Sequence, residues 1–231
     1  MDAIWEGLRE AISLIAHGDA TLRAITVRTL LVSGTATVFA SLLGIPAGLA
    51  LARAHFPGRT AALGLVNTGM GLPPVVAGLV VWLLLVRSGP LGDLELVYTR
   101  RGMIIAQVII AVPLVSAFTA AAVEALPPEL PDLLTSLGAG PLRTGWLLAL
   151  EARLGLLVAV MAGFGAAVSE VGASMIVGGN LQGQTRVLTT AIATETSRGN
   201  NGTALAYGIV LLGLAFVVTL ALTILQQRRP S

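Results

Sequence analysis

The chain has 231 residues, 55% of them hydrophobic and 11% charged, with a mean hydropathy of +0.86. A soluble domain averages about 25% charged residues, so this composition excludes a molecule wetted over its whole surface, and a net charge of +2 gives no footprint for nucleic acid. Cysteine is absent, which removes disulfides and thiolate chemistry, and all 14 basic residues are arginine; a phosphate loop of the G-x-x-x-x-G-K-[ST] type needs a lysine, so ATP-driven work by this chain requires another subunit.

Asp2, Glu6, Arg9 and Glu10 precede any apolar run, unlike the basic start and apolar core of a cleavable signal peptide. Ile4, Leu8, Ala11, Ile12 and Ile15 recur at helical spacing, with Glu6, Arg9 and Glu10 opposite. That pattern predicts an amphipathic helix lying in the membrane interface.

A span needs about 20 apolar residues. Stretches free or nearly free of charge predict five transmembrane helices, over residues 27–52, 60–86, 102–124, 153–178 and 203–226. The expected architecture is an all-α membrane protein, one transmembrane domain over residues 1–231. Small residues four apart (Ala36 and Ala40, Gly44 and Gly48, Ala162 and Ala166) are expected to let helices approach closely. Pro46, Pro73, Pro74 and Pro113 lie inside spans, where each removes a backbone hydrogen bond that lipid cannot replace. Gly69-Met70-Gly71-Leu72-Pro73-Pro74 is the clearest break, and there the second span is expected to face a pathway.

An odd number of spans puts the two ends on opposite sides. A cytoplasmic C-terminus places Arg53, Arg59, Arg143, Arg153, Arg228 and Arg229 inside and Arg9, Arg23, Arg28, Arg87, Arg100, Arg101, Arg186 and Arg198 outside. The positive-inside rule does not favour that split, so charge alone leaves the topology open.

Between the third and fourth spans lies a polar insert, residues 126–150. Its prolines precede a short helical stretch that Asp132 is expected to cap. Gly138 to Gly140 are expected to end it, and a second helix begins at Pro141. Asp132-Leu133-Leu134-Thr135-Ser136-Leu137-Gly138-Ala139, followed by Trp146, Leu148 and Leu150, resembles the cytoplasmic loop of ATP-binding-cassette importer permeases. In that family a Glu-Ala-Ala start, a glycine six positions after the glutamate and a later Ile-x-Leu-Pro form a coupling helix that docks on the ATPase subunit. Asp132 stands at the glutamate, Gly138 at the glycine, and Leu148 with Leu150 at the apolar pair. Leu133 and Leu134 replace the alanines, and Glu151 replaces the proline.

The resemblance extends further. Gly71-Leu-Pro-Pro-Val-Val-Ala-Gly78 with Ser88-Gly-Pro-Leu-Gly92, and Ser169-Glu-Val-Gly-Ala-Ser174 followed by Val177-Gly-Gly-Asn180, are similar to molybdate and tungstate permeases. Thr185-Arg-Val-Leu-Thr-Thr-Ala-Ile192 with Glu195-Thr-Ser-Arg-Gly199 looks like the tungstate branch. The resemblance implies a type I importer permease fold with a cytoplasmic coupling helix, the N-terminus outside and the C-terminus cytoplasmic, in a bacterial or archaeal cell membrane. It implies a homodimer, a separate ATPase subunit that uses ATP and magnesium, and an extracytoplasmic oxyanion-binding protein, with no cofactor or metal held by this chain. The implied coupling residues are Asp132, Leu133, Leu134, Leu137, Gly138, Ala139, Leu148 and Leu150.

Pathway or gate positions expected from these segments are Pro73, Pro74, Glu170, Gly172 and Ser174. Glu170 is the one ionisable residue well inside a span, where such residues mark function by default. A carboxylate is a poor ligand for an anion, so it reads as a gate or a packing element. No catalytic pair accompanies it, which argues against an intramembrane enzyme. Asn180 to Asn201 reads either as a polar surface loop or as a short helix at the outer mouth, where Thr185, Arg186, Thr189, Thr190, Thr194, Ser197 and Arg198 would offer donors; guanidinium suits oxyanions because its fork matches their oxygens. His17 and His55 lie outside the spans and suggest no metal site, Asn201-Gly202-Thr203 matches a glycosylation sequon at a span's edge, and Trp5, Trp82 and Trp146 suit interface positions.

Overall fold

The computed structural model describes residues 2–53 and 57–227; His55, Arg228 and Arg229 lie outside the described residues. The described chain is helical, with no strand among its elements: α1 (Asp2–Ala16), α2 (Ala20–Arg53), α3 (Arg59–Met70), α4 (Pro74–Leu85), α5 (Arg100–Glu124), α6 (Leu130–Ser136), α7 (Pro141–Glu151), α8 (Arg153–Val168), α9 (Gly172–Gly178), α10 (Leu188–Ser197) and α11 (Asn201–Gln227). A 3-10 turn, Gly92–Leu94, lies between α4 and α5.

Three helices, α2, α5 and α11, are each long and apolar enough to cross a membrane unaided. α2 starts at Ala20, ahead of residue 27, because the Asp19 carboxylate accepts a hydrogen bond from the Leu22 N–H (2.6 Å) and caps a further turn. Its 34 residues span about 51 Å at 1.5 Å per residue, well beyond a hydrocarbon core of about 30 Å.

The other two spans are broken. α3 and α4 meet at 103° across Gly71–Pro73. The run over 153–178 is not one helix: α8 stops at Val168, and α9 starts at Gly172 after Ser169-Glu170-Val171. At its other end α8 meets α7 at 77°, so α7 turns off the span.

α5 is the hub and packs against α2, α3, α4, α8 and α9. Small residues allow this. Ala36, Ala40, Gly44 and Gly48 form one buried strip along α2. A Cβ on Gly44 would fall 2.8 Å from the Val115 side chain, and one on Gly48 would fall 2.5 Å from the Ser116 carbonyl oxygen. On α8 the buried strip is Ala159, Gly163 and Ala167; the expected pair Ala162 and Ala166 is one face off and only half-buried.

α1 is a helix, and it packs lengthwise on α11. Gly7 is the closest approach, where a Cβ would sit 2.5 Å from the Leu205 side chain. The Thr203 hydroxyl donates to Glu10 Oε1 at 2.7 Å. Its polar face thus meets protein, while Trp5, Ile12 and Ile15 stay exposed.

Candidate translocation site and docking loop

The two broken spans meet at their breaks. In the first, Leu72 N–H bonds the Gly69 carbonyl (3.2 Å), and Pro73 turns extended at φ −60°, ψ 123°. Pro74 then opens α4 at the position where a missing N–H costs nothing. In the second, Val171 opens α9, and the Glu170 carboxylate accepts from the Ala173 N–H at 2.8 Å. A Cβ on Gly172 would lie 2.6 Å from Val75 Cγ2, and one on Gly78 would lie 2.5 Å from Ala173 Cα. The half-helices α4 and α9 therefore cross in near backbone contact. Ala77, Val81, Ala106, Ile110, Ala173 and Val177 seal the crossing.

These contacts sort the five pathway positions. Pro73 and Pro74 are exposed, as are Asn67, Thr68, Gly71 and Ser169 beside the breaks. Glu170 and Ser174 are instead buried, at 5% and 0% exposure. Glu170 caps α9, and Ser174 Oγ accepts from Gln107 Nε2 at 3.2 Å. Gly172 is the contact point between the halves. Gln107, buried in α5, is a partner that sequence reasoning missed, because an amide within a long apolar run carries no periodic signal.

At the end of the molecule opposite the α6–α7 loop, residues 181–187 lead into α10. The threonines expected to offer hydroxyls outward are turned inward. Thr185 Oγ1 donates to the Gly178 carbonyl (2.5 Å) and accepts from Leu181 N–H (2.9 Å). Thr189 donates to the Glu170 carbonyl (2.9 Å), and Thr190, Thr194 and Ser197 donate to the carbonyls of Val187, Thr190 and Ala193. For Thr185 and Thr189 the reason is the break itself, which leaves the Gly178 and Glu170 carbonyls to be satisfied by nearby hydroxyls; the other three bond back within their own turn or helix. Arg198 pairs with Glu195 (3.0 Å). Arg186 reaches Asn180 Oδ1 with Nε at 3.3 Å.

Arg28, counted above only among the arginines of one face, is 7% exposed and belongs to the loop. It donates to the carbonyls of Arg186 (2.6 Å) and Gly183 (2.9 Å). Its helical phase held the signal: Leu22, Ile25, Val32 and Ala36 are the buried face of α2, and Arg28 falls on the same face.

At the other end, α6 begins at Leu130, so Asp132 sits inside its first turn and caps nothing; no side-chain cap bond is made there. The helix stops in a Schellman turn. Ala139 N–H bonds the Leu134 carbonyl (3.0 Å), Gly138 N–H bonds the Thr135 carbonyl (2.9 Å), and Gly138 takes φ +84°. The turn divides the implied coupling residues. Leu134 and Leu148 pack inward with Val123 and Ala152, and Ala139 is half-buried. Leu133, Leu137 and Leu150 face outward, joined by Leu142 and Trp146, which are 91% and 67% exposed. Arg53 donates to the Pro141 carbonyl (3.1 Å), and Arg59 ties α3 to α5 through Glu124 (2.7 Å).

No group of three or more histidine, aspartate or glutamate side chains stands together among the described residues to hold a metal. The model of the binding-protein-dependent transport system inner membrane component family matches residues 44–230. The chain is 39% identical over 226 residues to the probable anion ABC transporter permease protein of Haloferax volcanii, covering 94% of this chain and 97% of that one. It is 37% identical over 227 residues to the tungstate uptake system permease protein TupB of Peptoclostridium acidaminophilum, covering 98% and 100%. Among solved structures, the MetNI methionine ABC transporter in an inward-facing conformation superposes with a TM-score of 0.71 at 19% identity, over 87% of this chain and 92% of that one, a likeness of fold. The broken spans, the outward leucines around Gly138 and these matches agree: the chain belongs to the binding-protein-dependent transport system inner membrane component family.

Proposed function

We propose that this chain is the membrane-spanning subunit of an ABC importer for tungstate. What carries the reading is the match to a tungstate uptake permease over nearly the whole length of both chains. Two copies would enclose the pathway, with the exposed breaks at Pro73–Pro74 and Ser169 facing it. The chain binds no cofactor. ATP and magnesium are used by a partner ATPase seated on Leu133, Leu137, Leu142 and Trp146. Closure of that ATPase draws the two α6 helices together and opens the pathway to a solute-binding protein on the far side. The N-terminus is extracytoplasmic and the C-terminus cytoplasmic, in a bacterial or archaeal inner membrane. Glu170 serves as the gate's fixed point through its cap on α9.

A second oxyanion is the alternative, since the Haloferax relative is named only for an anion. Tungstate, molybdate, sulfate and phosphate share tetrahedral geometry and negative charge, so the spans distinguish them poorly. Proteoliposomes holding this chain with its ATPase and binding protein decide it. Tungstate should accumulate in an ATP-dependent way and resist competition by equimolar molybdate or sulfate. Uptake suppressed equally by sulfate would overturn the tungstate assignment.

A further inference from the structure

Arg28 is a buried cation with no ion-pair partner among the described residues. Burying a guanidinium is costly unless it is paired, and its partners here are two backbone carbonyls. Its Nε is buried and has no hydrogen-bond partner. Two further arginines add positive charge here, while Glu10, Asp19 and Glu195 place negative charge on the Tyr207 side of Arg186. Arg186 lies on the same loop, and Arg100 holds that loop from its other side by donating to the Gln184 carbonyl (2.9 Å). Among the described residues, the ion pairs join Arg59 to Glu124, Arg87 to Glu95 and Arg198 to Glu195; none includes Arg28, Arg100 or Arg186. Asp19, the acid at the head of α2, is engaged by the Leu22 N–H.

A cavity of about 250 Å³ opens at this place, lined by Thr21, Ala24, Arg28, Gln182, Gly183 and Arg186. Its inner wall leads to the second break in two steps. Thr29, next to Arg28, accepts from the Leu188 N–H (2.9 Å), and Thr189 donates to the Glu170 carbonyl (2.9 Å). A cationic cavity thus sits one helical step outside the crossing of the half-helices.

We propose that Arg28 and Arg186 form an extracytoplasmic transit site for a tetrahedral oxyanion, occupied between release from the binding protein and entry to the pathway. The site deepens the importer reading and rests on it for its placement in the cycle. Two guanidinium groups give the planar forks that oxyanions favour, and Arg100 raises the local potential. Such a site also accounts for the arginines that outnumber those of the other face, against the usual bias: a positive mouth draws anions in. Because the guanidinium groups already hold carbonyls, the ion binds through their remaining N–H groups, and the affinity is low enough for it to leave.

The test uses the purified full chain in neutral, lipid-free detergent, with sodium tungstate and sodium sulfate as probes and sodium chloride at matched ionic strength as the control. Tungstate and sulfate should raise the unfolding temperature, and chloride should not. Ala24→Glu places a carboxylate four residues before Arg28, the orientation that best pairs acid with base on a helix. This variant should unfold no lower than wild type without anion and should lose the anion response. Arg186→Gln gives up only a 3.3 Å bond and should raise the half-saturating tungstate concentration about tenfold or more, as for a lost charge-assisted hydrogen bond. An equal response to chloride, an Ala24→Glu protein that still responds, or a response only to added phosphatidylglycerol would overturn the site. The same chains in proteoliposomes separate the two readings. Wild type that binds but does not import overturns the importer reading alone, whereas Ala24→Glu that imports at the wild-type rate overturns the transit site alone.

Discussion

Glu170 shows how a single residue reconciles charge with lipid. Its carboxylate meets the N-terminus of α9, where unpaired amides carry partial positive charge, and it accepts the Ala173 N–H at 2.8 Å. The acid is plain in the sequence; its partner is not, because the cap requires a helix to restart at Gly172, and no proline announces it. Glu170→Gln keeps an acceptor oxygen and should stay close to wild type in thermal unfolding in detergent. Glu170→Ala leaves the amide unpaired and should lose about 1–3 kcal/mol. The glycines show the same dependence on what stands opposite. At Gly78 a methyl would meet the Ala173 backbone at 2.5 Å, whereas at Gly64 it meets nothing within 4 Å. Gly78→Ala should therefore destabilise by about 1–3 kcal/mol, and Gly64→Ala should hold or slightly gain stability, measured in the same unfolding experiment.

At the scale of elements, the α6–α7 segment separates buried leucines from exposed ones. Leu137 is 76% exposed and Leu148 is 1% exposed, so the two leucines should fail differently. Leu137→Asp should leave unfolding unchanged and abolish co-purification of the ATPase subunit. Leu148→Ala should cost about 2–5 kcal/mol of stability as a core cavity. Gly138 is distinct again: no atom stands near a Cβ there, but φ is +84°. Gly138→Asn, which tolerates that conformation, should preserve ATPase binding, and Gly138→Val should weaken it. Legibility at this scale follows the strength of the chain's punctuation. The break at Gly71–Pro73 is written in glycine and proline, and α5 and α11 are uninterrupted apolar runs. The end of α8 depends on tertiary hydrogen bonds, from Ser33 to the Ala167 carbonyl and from Thr189 to the Glu170 carbonyl, so composition could not mark it; the added turn of α2 rests on the local cap at Asp19, which a search for apolar runs passes over. Thr185 and Thr189 looked outward for the same reason, since their acceptors, the Gly178 and Glu170 carbonyls, belong to the ends of a break elsewhere in the chain.

At the scale of the molecule, arginine counting leaves orientation undecided, and the proposed seating of the ATPase on the α6–α7 loop predicts a direction that charge does not. The absence of cysteine makes this directly testable. Single cysteines at Ser136 and Gln182, both exposed, should react with a membrane-impermeant maleimide on opposite sides. Gln182→Cys should label in intact cells and Ser136→Cys only after permeabilisation; the reverse pattern would invert the topology. Helix content, the apolar runs of α5 and α11 and the short helix that ends at Gly138 could be anticipated because each is local in the chain. The crossing of α4 with α9 and the arginine cluster could not, since they join segments far apart in sequence.

The packing of α1 along α11 carries a consequence for how the protein is made. Glu10 and Thr203 are partners 193 residues apart in the chain. At ribosomal rates of about 5–20 residues per second, α1 waits roughly 10–40 s for the helix that receives it. Throughout that interval its acidic face has only water and lipid headgroups for company. The first described helix is therefore among the last to find its place.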